Sequence, residues 1–483
     1  MRIGTGLEKI RAYLEENKDR HIQRIQSVVQ RPSVSTENNG VRECAELLVE
    51  IHKEMGCTEA KLVGDPDLPG VWAYYDAGAE DTIVVYGNFD TRPVAPHEKW
   101  DHSPWSGALT PMGPFSRVLV GRGAPSKGSY IAWLNALEAI NAVEGELPFN
   151  VMFLLEGDEI LGSPTWPQMY EEYRPRLATA KASFSPGASQ DGQGRALMSL
   201  GFKGMIYADL ICSGEKWGRG PQGAPAHGMT KSVVDSPSWR LVQALATLTG
   251  KNGNDITIKG FYDDLIPPNE EERKAAFDFR SAMGGGSWNQ VLPGVAAIKA
   301  PAGDLGEDET VLNYFYGPSF NINSLRAGLM GAGTMPFTLP NTAAARFDLR
   351  VPRGFSVDKV VKQIRDHLEA EGFGDIELDV LAANDSSQTG TETELVQAVV
   401  EAFEEMEVPL IIAPYSGGGG PWSLYKNDLG LPMIRSVGVG GGGVGPSGDE
   451  YFVIDGSDVV GGLIECELSH IHMLKAYAKK ALS

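Results

Sequence analysis

Ile83-Val84-Val85-Tyr86-Gly87-Asn88-Phe89-Asp90-Thr91-Arg92-Pro93 is the stretch from which the fold of this chain is read. Ile83, Val84, Val85 and Tyr86 have strand preference and no polar interruption, the pattern of a strand buried on both faces of a sheet. The turn after Gly87 delivers Asn88 and Asp90 to the carboxyl edge, where open α/β sheets place their chemistry. Period-two alternation points both side chains the same way, toward the mouth of a crevice. The same pair also suits a turn in which Asn and Asp bond their own backbone.

Outward from this strand, residues 7–29 carry helical spacing through Ile10, Leu14, Ile22, Ile25 and Val28, and Arg31-Pro32 ends it. A second helix is predicted over 39–55, and residues 70–75 read as a strand neighbouring 82–86. A helix over 128–143 places Ile131, Leu134, Ala136 and Leu137 on a buried side. Residues 150–155 form another apolar strand, ending in Glu156-Gly157-Asp158-Glu159. This alternation predicts an α/β fold with a mainly parallel sheet flanked by helices.

The pattern changes from Phe202 onward. A strand-like run, a helix over 239–248, a strand over 343–351, a helix over 357–369 and a strand over 376–380 read as an inserted α+β module. A helix over 392–406, a strand over 410–413 and a closing helix over 463–482 then resume the α/β pattern. The expected division is 1–204 and 388–483 for the α/β domain and 205–387 for an inserted lid and dimerisation domain. Two glycine-rich loops, 416–420 and 438–445, offer backbone N–H groups that can approach a ligand carboxylate closely.

A chain of 483 residues calls for more than one core. Its 42% hydrophobic and 22% charged content fits a globular enzyme. A net charge of −21 argues against a nucleic-acid partner or an anionic membrane surface, which need clustered Lys and Arg. Cys44, Cys57, Cys212 and Cys466 have no metal-ligand spacing and suit a reducing, cytoplasmic setting. No apolar run long enough for a signal peptide or membrane span is expected.

The order of motifs resembles the zinc amidohydrolase family of carnosinases, acetylornithine and succinyl-diaminopimelate deacylases and glutamate carboxypeptidases. The landmarks are Gly87-Asn88-Phe89-Asp90 with Pro93, Gly121-Arg122-Gly123-Ala124, Glu156-Gly157-Asp158-Glu159 with Gly162-Ser163, and Leu200-Gly201-Phe202-Lys203-Gly204. His227, Asn321, Leu349-Arg350-Val351-Pro352, Ser416-Gly417-Gly418 and Asp449-Glu450 follow in the same order. The resemblance implies two zinc ions at the sheet edge, yet the five ligand positions fall on Asn88, the shortened run Ala124-Pro125-Ser126, Ile160, Gly187 and Pro446. Amide, alkyl and glycine groups do not supply zinc with imidazole or carboxylate. No metal and no other cofactor is therefore expected. Asp90, Asp158, Glu159, Asp449 and Glu450 are left as oxygen donors for a hard cation.

The resemblance also assigns roles. Glu159 matches the general base, with Asp90 beside it. His227 matches a residue that reaches a partner's active site in family dimers and stabilises an oxyanion, and Asn321 a second polar contact. Arg350 matches a carboxylate clamp, aided by N–H groups of Ser416, Gly417 and Gly418. Asn88 and Lys127 border the space the metals would fill, where a Lys cation could supply part of their charge. Three functions stay open. They are a zinc-independent amidohydrolase on a small carboxylate-bearing amide; a lyase, decarboxylase or isomerase; and a non-catalytic carboxylate-binding protein. The resemblance also implies a homodimer through the inserted module, and a small-molecule substrate bearing a carboxylate as the partner.

Overall fold

The computed structural model describes residues 7–292, 295–331, 334, 337–445 and 448–481. They form two compact units. One is built from the described residues of Met1–Gly201, Gln388–Pro414 and Pro421–Ser483, the other from those of Phe202–Ser387 and Tyr415–Gly420. The first division falls after Gly201 rather than 204, and residues 415–420 join the second unit although the chain around them belongs to the first.

The first unit is a mixed α/β layer with a large sheet. Its strands lie in the order Glu59–Val63, Gly70–Tyr75, Asn150–Glu156, Thr82–Asn88, Ala182–Pro186, Met433–Val437, Ala196–Ser199 and Leu410–Ala413. Pairing is parallel from Asn150–Glu156 through Met433–Val437, and antiparallel where Gly70–Tyr75 joins each of its neighbours. Residues 70–75 and 82–86, expected to be adjacent, are separated by Asn150–Glu156. That strand is apolar between its end residues Asn150 and Glu156 and is buried along its whole length. It therefore takes a central place that local sequence order does not reveal.

Helices Glu8–Val29, Ala124–Glu144 and Leu463–Ala481 pack together over one core that also includes Ile83, Val85 and Phe153. The helix expected over 128–143 starts at Ala124. Gly123 caps it with φ of 78°, and a Cβ there would stand 2.5 Å from Thr91 Cγ2. Pro125 sits in its first turn, where the missing N–H costs nothing. A small antiparallel sheet, ordered Gly442–Val444, Glu450–Asp455, Phe115–Val120 and Ala108–Met112, was not foreseen. Its outer hairpin closes in two residues at Gly113, which has φ of 55°.

The second unit is an antiparallel sheet ordered Ser319–Ala327, Thr342–Val351, Gly204–Ser213 and Glu377–Asn384. Pro237–Leu248 and Val357–Ala370 cover it, with Leu241, Leu245, Val360 and Ile364 buried against Ile206, Leu210 and Phe347. Ser319–Ala327 is an edge strand exposed along most of its length. No helix among the described residues is long and apolar enough to cross a membrane, and Cys44, Cys57, Cys212 and Cys466 are free thiols.

Candidate active site

In the first unit, the carboxyl end of Thr82–Asn88 meets the end of Asn150–Glu156. Asn88 stands opposite Glu156, and the Phe89 N–H donates to the Glu156 carbonyl at 3.1 Å. The chain then turns at Asp158 into a single 3₁₀ turn, Glu159–Leu161. That turn is pinned from both sides. The Ser163 N–H bonds the Asp158 carbonyl at 3.1 Å, and the Thr165 N–H bonds the Asp158 carboxylate at 3.0 Å. Ser163 itself holds φ of 63°, a conformation costly for a non-glycine residue and often found at functional turns.

Asp90 ties this turn to the strand. Its carboxylate accepts the Ser35 hydroxyl at 2.7 Å, the Ile160 N–H at 2.9 Å and the Asn88 amide at 3.4 Å. Burial pushes the Asp90 carboxyl up to about 7, outweighing the hydrogen bonds from Ser35 and Ile160, and the Glu159 charge adds to the rise. Glu156 is fully buried and lies well above the carboxylate range, first through desolvation and then through the charges of Asp158 and Glu159. The Tyr86 hydroxyl donates to Glu156. Asp158 is also raised by burial, against hydrogen bonds from Thr165. Glu159 therefore stands beside several acids that hold protons more tightly than free carboxylates do.

A cavity of about 210 Å³ opens at this edge, lined by Asn88, Pro125, Gly187, Ser126, Ser185 and Arg435 among others. Three of the five positions at which the family resemblance expects metal ligands thus face one space. A fourth, Ile160, follows Glu159 and gives its N–H to Asp90. Pro446 lies outside the described residues. The donor chemistry does not fit a zinc pair, because an amide, a pyrrolidine, a glycine and an alkyl side chain bring no anionic or imidazole ligand. No group of three or more His, Cys, Asp or Glu among the described residues is placed to hold a metal ion. Asp449 and Glu450 are engaged elsewhere. Asp449 accepts the Asp101 N–H at 3.1 Å, and Glu450 accepts Arg122 at 2.7 Å and the Gly123 N–H at 2.6 Å.

Lys127, expected to bind substrate, has a different place. Its ammonium is buried and donates to the carbonyls of Val28 at 3.1 Å and Arg31 at 2.9 Å, closing the end of helix Glu8–Val29. The reason is helical phase. Starting at Ala124, the helix turns Lys127 toward its packed neighbour rather than toward the cavity.

In the second unit, Asn321 and Arg350 meet on Asp348. The Asn321 amide donates to it at 3.0 Å and Arg350 Nε at 2.9 Å. Burial would raise the Asp348 carboxyl, but these bonds hold it below its ordinary value. Arg350 Nη1 is buried with no hydrogen-bond partner among the described residues. The turn of residues 415–420 lies against it, and a Cβ on Gly419 would stand 2.6 Å from Nη1. Within the turn the Gly418 N–H donates to the Ser416 hydroxyl at 3.2 Å. Gly417 borders Tyr314, whose hydroxyl would lie 3.3 Å from a Cβ there. His227 is exposed on the short strand Ala226–His227, paired with Thr338, and its Nδ1 accepts the Met229 N–H at 3.2 Å.

Two features escaped the sequence reading. Arg435 interrupts the apolar strand Met433–Val437, and this isolated charge in a central strand was the available signal. The Tyr86–Glu156 contact had none, since Tyr86 reads as an ordinary strand position and the motif at Glu156 does not disclose which strand neighbours it.

Residues 220–375 match the family profile described as Peptidase dimerisation domain. A Cys-Gly metallodipeptidase of Candida albicans is 25% identical over 382 residues, 74% of each chain. The human Beta-Ala-His dipeptidase is 25% identical over 296 residues, 60% of this chain and 53% of its own. Among solved structures, an M20 family metallo-carboxypeptidase from Sulfolobus solfataricus superposes with a TM-score of 0.79 at 25% identity, over 95% of this chain and 99% of its own.

Proposed function

Since the chain belongs to the M20 family of C–N-cleaving peptidases, we propose that it acts on a small amide or amino-acid-like substrate bearing a carboxylate, without the family's zinc pair. The observation that carries this reading is the coincidence of a retained base and absent donors. Glu159 keeps its turn beside Asp90 while Asn88, Pro125, Ile160 and Gly187 bring no zinc donor.

Glu159 takes a proton from the attacking water and returns it to the departing nitrogen. Asp90 and Glu156, held above the ordinary carboxylate range, supply neighbouring proton carriers rather than metal ligands. Arg350 and the N–H groups of Ser416, Gly417 and Gly418 are assigned to the substrate carboxylate. His227 and Asn321 are assigned to the developing oxyanion, His227 from a second copy of the chain. The exposed edge strand Ser319–Ala327, with Ile322 and Leu325 outward, supports a homodimer through this unit. The free thiols support a cytoplasmic location.

The cluster of proton-holding acids also favours a second reading, a lyase, decarboxylase or isomerase in which Glu159 shuttles a proton and no water is added. A panel of dipeptides and N-acyl amino acids, incubated with wild type and Glu159→Gln and followed by mass spectrometry, separates these outcomes. Amine and acid products that gain one water, lost roughly 10²–10⁴-fold in Glu159→Gln, are expected. Products without added water support the second reading, and saturable binding without turnover leaves only a carboxylate-binding protein.

A further inference from the structure

We infer that Tyr314 is a further substrate-binding residue of the second unit, its hydroxyl donating to the substrate carboxylate beside Arg350, with Lys203 as the residue that positions it. The carboxylate rests on the reading of Arg350 above, whereas the place of Tyr314 rests on the geometry of this unit. Tyr314 lies in the last turn of helix Glu307–Tyr316. Gly317 and Pro318 join that helix to the strand Ser319–Ala327, whose Ser319 pairs with Arg350. The helix end is thereby tied to the clamp by strand register. The turn of residues 415–420 meets both side chains. A Cβ on Gly417 would stand 3.3 Å from the Tyr314 hydroxyl oxygen, and one on Gly419 2.6 Å from Arg350 Nη1. Two residues of chain separate these contacts by at most about 7 Å. Both donors therefore border the same bare stretch of backbone, on the scale of one carboxylate with a hydrogen bond at each oxygen.

Hydrogen bonding sets Tyr314 apart from its neighbour. The Tyr316 hydroxyl donates to the Glu272 carbonyl at 3.0 Å, and its ring packs edge-on to Tyr415 at 5.7 Å. The half-buried Tyr314 has no hydrogen-bond partner for its hydroxyl among the described residues, just as Arg350 Nη1 has none. Burial raises the Tyr314 hydroxyl above its ordinary value, so it remains a donor at neutral pH. A phenylalanine would fill the same space without leaving a donor to satisfy. Charge points the same way. Asp348 is matched by Arg350 Nε and by the Asn321 and Asn323 amides at 3.0 and 2.9 Å, and the Nη1 side of the guanidinium is left over. Lys203 brings a second cation. Its buried ammonium donates to the carbonyls of Asn313 at 3.3 Å and Gly317 at 2.6 Å, which flank Tyr314 in sequence at the helix end. Phe202 on one side of it bridges Ser416, and Met205 on the other pairs with Arg350. One side chain thus fixes the helix end to both walls of the clamp. Burial and then the Arg350 charge pull Lys203 down to about 7, a repulsion that a bound anion relieves.

Isothermal titration of the full chain with N-acetylglycine and with N-acetylglycinamide tests the assignment without any turnover. Wild type is expected to bind the acid saturably and the amide roughly tenfold or more weakly. Tyr314→Phe should weaken the acid roughly 10- to 100-fold with the thermal melt unchanged, since it keeps the ring and removes only the hydroxyl. Arg350→Gln should weaken the acid at least as much. Lys203→Met should lose the contribution of the hydroxyl, so that adding Tyr314→Phe to it costs little more. Fully additive losses would remove Lys203 from the positioning role, and Tyr314→Phe decides the assignment even where Lys203→Met unfolds the helix end. A Tyr314→Phe protein that binds the acid like wild type, while Arg350→Gln does not, overturns the role of Tyr314 and leaves the clamp standing. A wild type that binds neither probe, or both alike, overturns the clamp and the hydroxyl together.

Discussion

Burial raises the Asp90 carboxyl from 3.8 to about 7, even with Ser35 and the Ile160 N–H bonded to it. For an acid whose folded value lies above its unfolded one, the folded state keeps a proton that the unfolded chain has released. Stability therefore falls as pH rises from about 4 to about 7, by on the order of 4 kcal/mol. Asp90→Asn should remove the Asp90 share of that slope. Denaturant titrations at pH 5 and pH 8 would show wild type losing more stability across the window than the variant, whose remaining slope comes from Glu156 and Asp158; parallel losses would contradict the burial argument. Lys127→Met should cost about 1–3 kcal/mol, since the Val28 and Arg31 carbonyls lose their donor. An urea midpoint unchanged beside a raised KM would return Lys127 to the substrate. Asn88, Asp90 and Glu159 were legible as a group because motif order and strand alternation both place them at one edge. Lys127 lies elsewhere than the motif order suggests because its direction depends on where the helix begins, and Arg435 was not singled out because no strand was expected over 433–437.

At the scale of elements, helices with sustained apolar spacing were readable to within a few residues. Glu8–Val29 and Val357–Ala370 repeat their buried positions over several turns. Sheet order was not readable, since the place of Asn150–Glu156 between two earlier strands is decided by packing across the sheet. The hairpin at Gly113 was hidden for another reason. Its strands Ala108–Met112 and Phe115–Val120 are short and partly exposed, so period-two contrast is weak there. The turn of residues 415–420 yields a prediction of its own. Gly419→Ala places a methyl group 2.6 Å from Arg350 Nη1 and 2.9 Å from Met205 Cβ, so the guanidinium must move. With Arg350 as the carboxylate clamp, steady-state kinetics should show KM rising roughly tenfold with kcat little changed. An unaltered KM would take the clamp away from Arg350.

At the scale of the molecule, the change of pattern after Phe202 disclosed the inserted unit, because alternating strands and helices give way to an antiparallel sheet with its own core. What composition could not disclose is the return of residues 415–420 to that unit, a tertiary choice. The exposed edge strand predicts twice the 52.0 kDa subunit mass in sedimentation, and Leu325→Glu should shift the protein to the monomer. A dimer indifferent to Leu325→Glu would place the interface elsewhere. The most direct test of metal-free chemistry is elemental analysis of the purified, active protein, with turnover measured before and after a strong chelator. The account predicts less than stoichiometric zinc and unchanged turnover. One or two transition metals per chain, with activity lost to the chelator and restored by adding metal back, would contradict it.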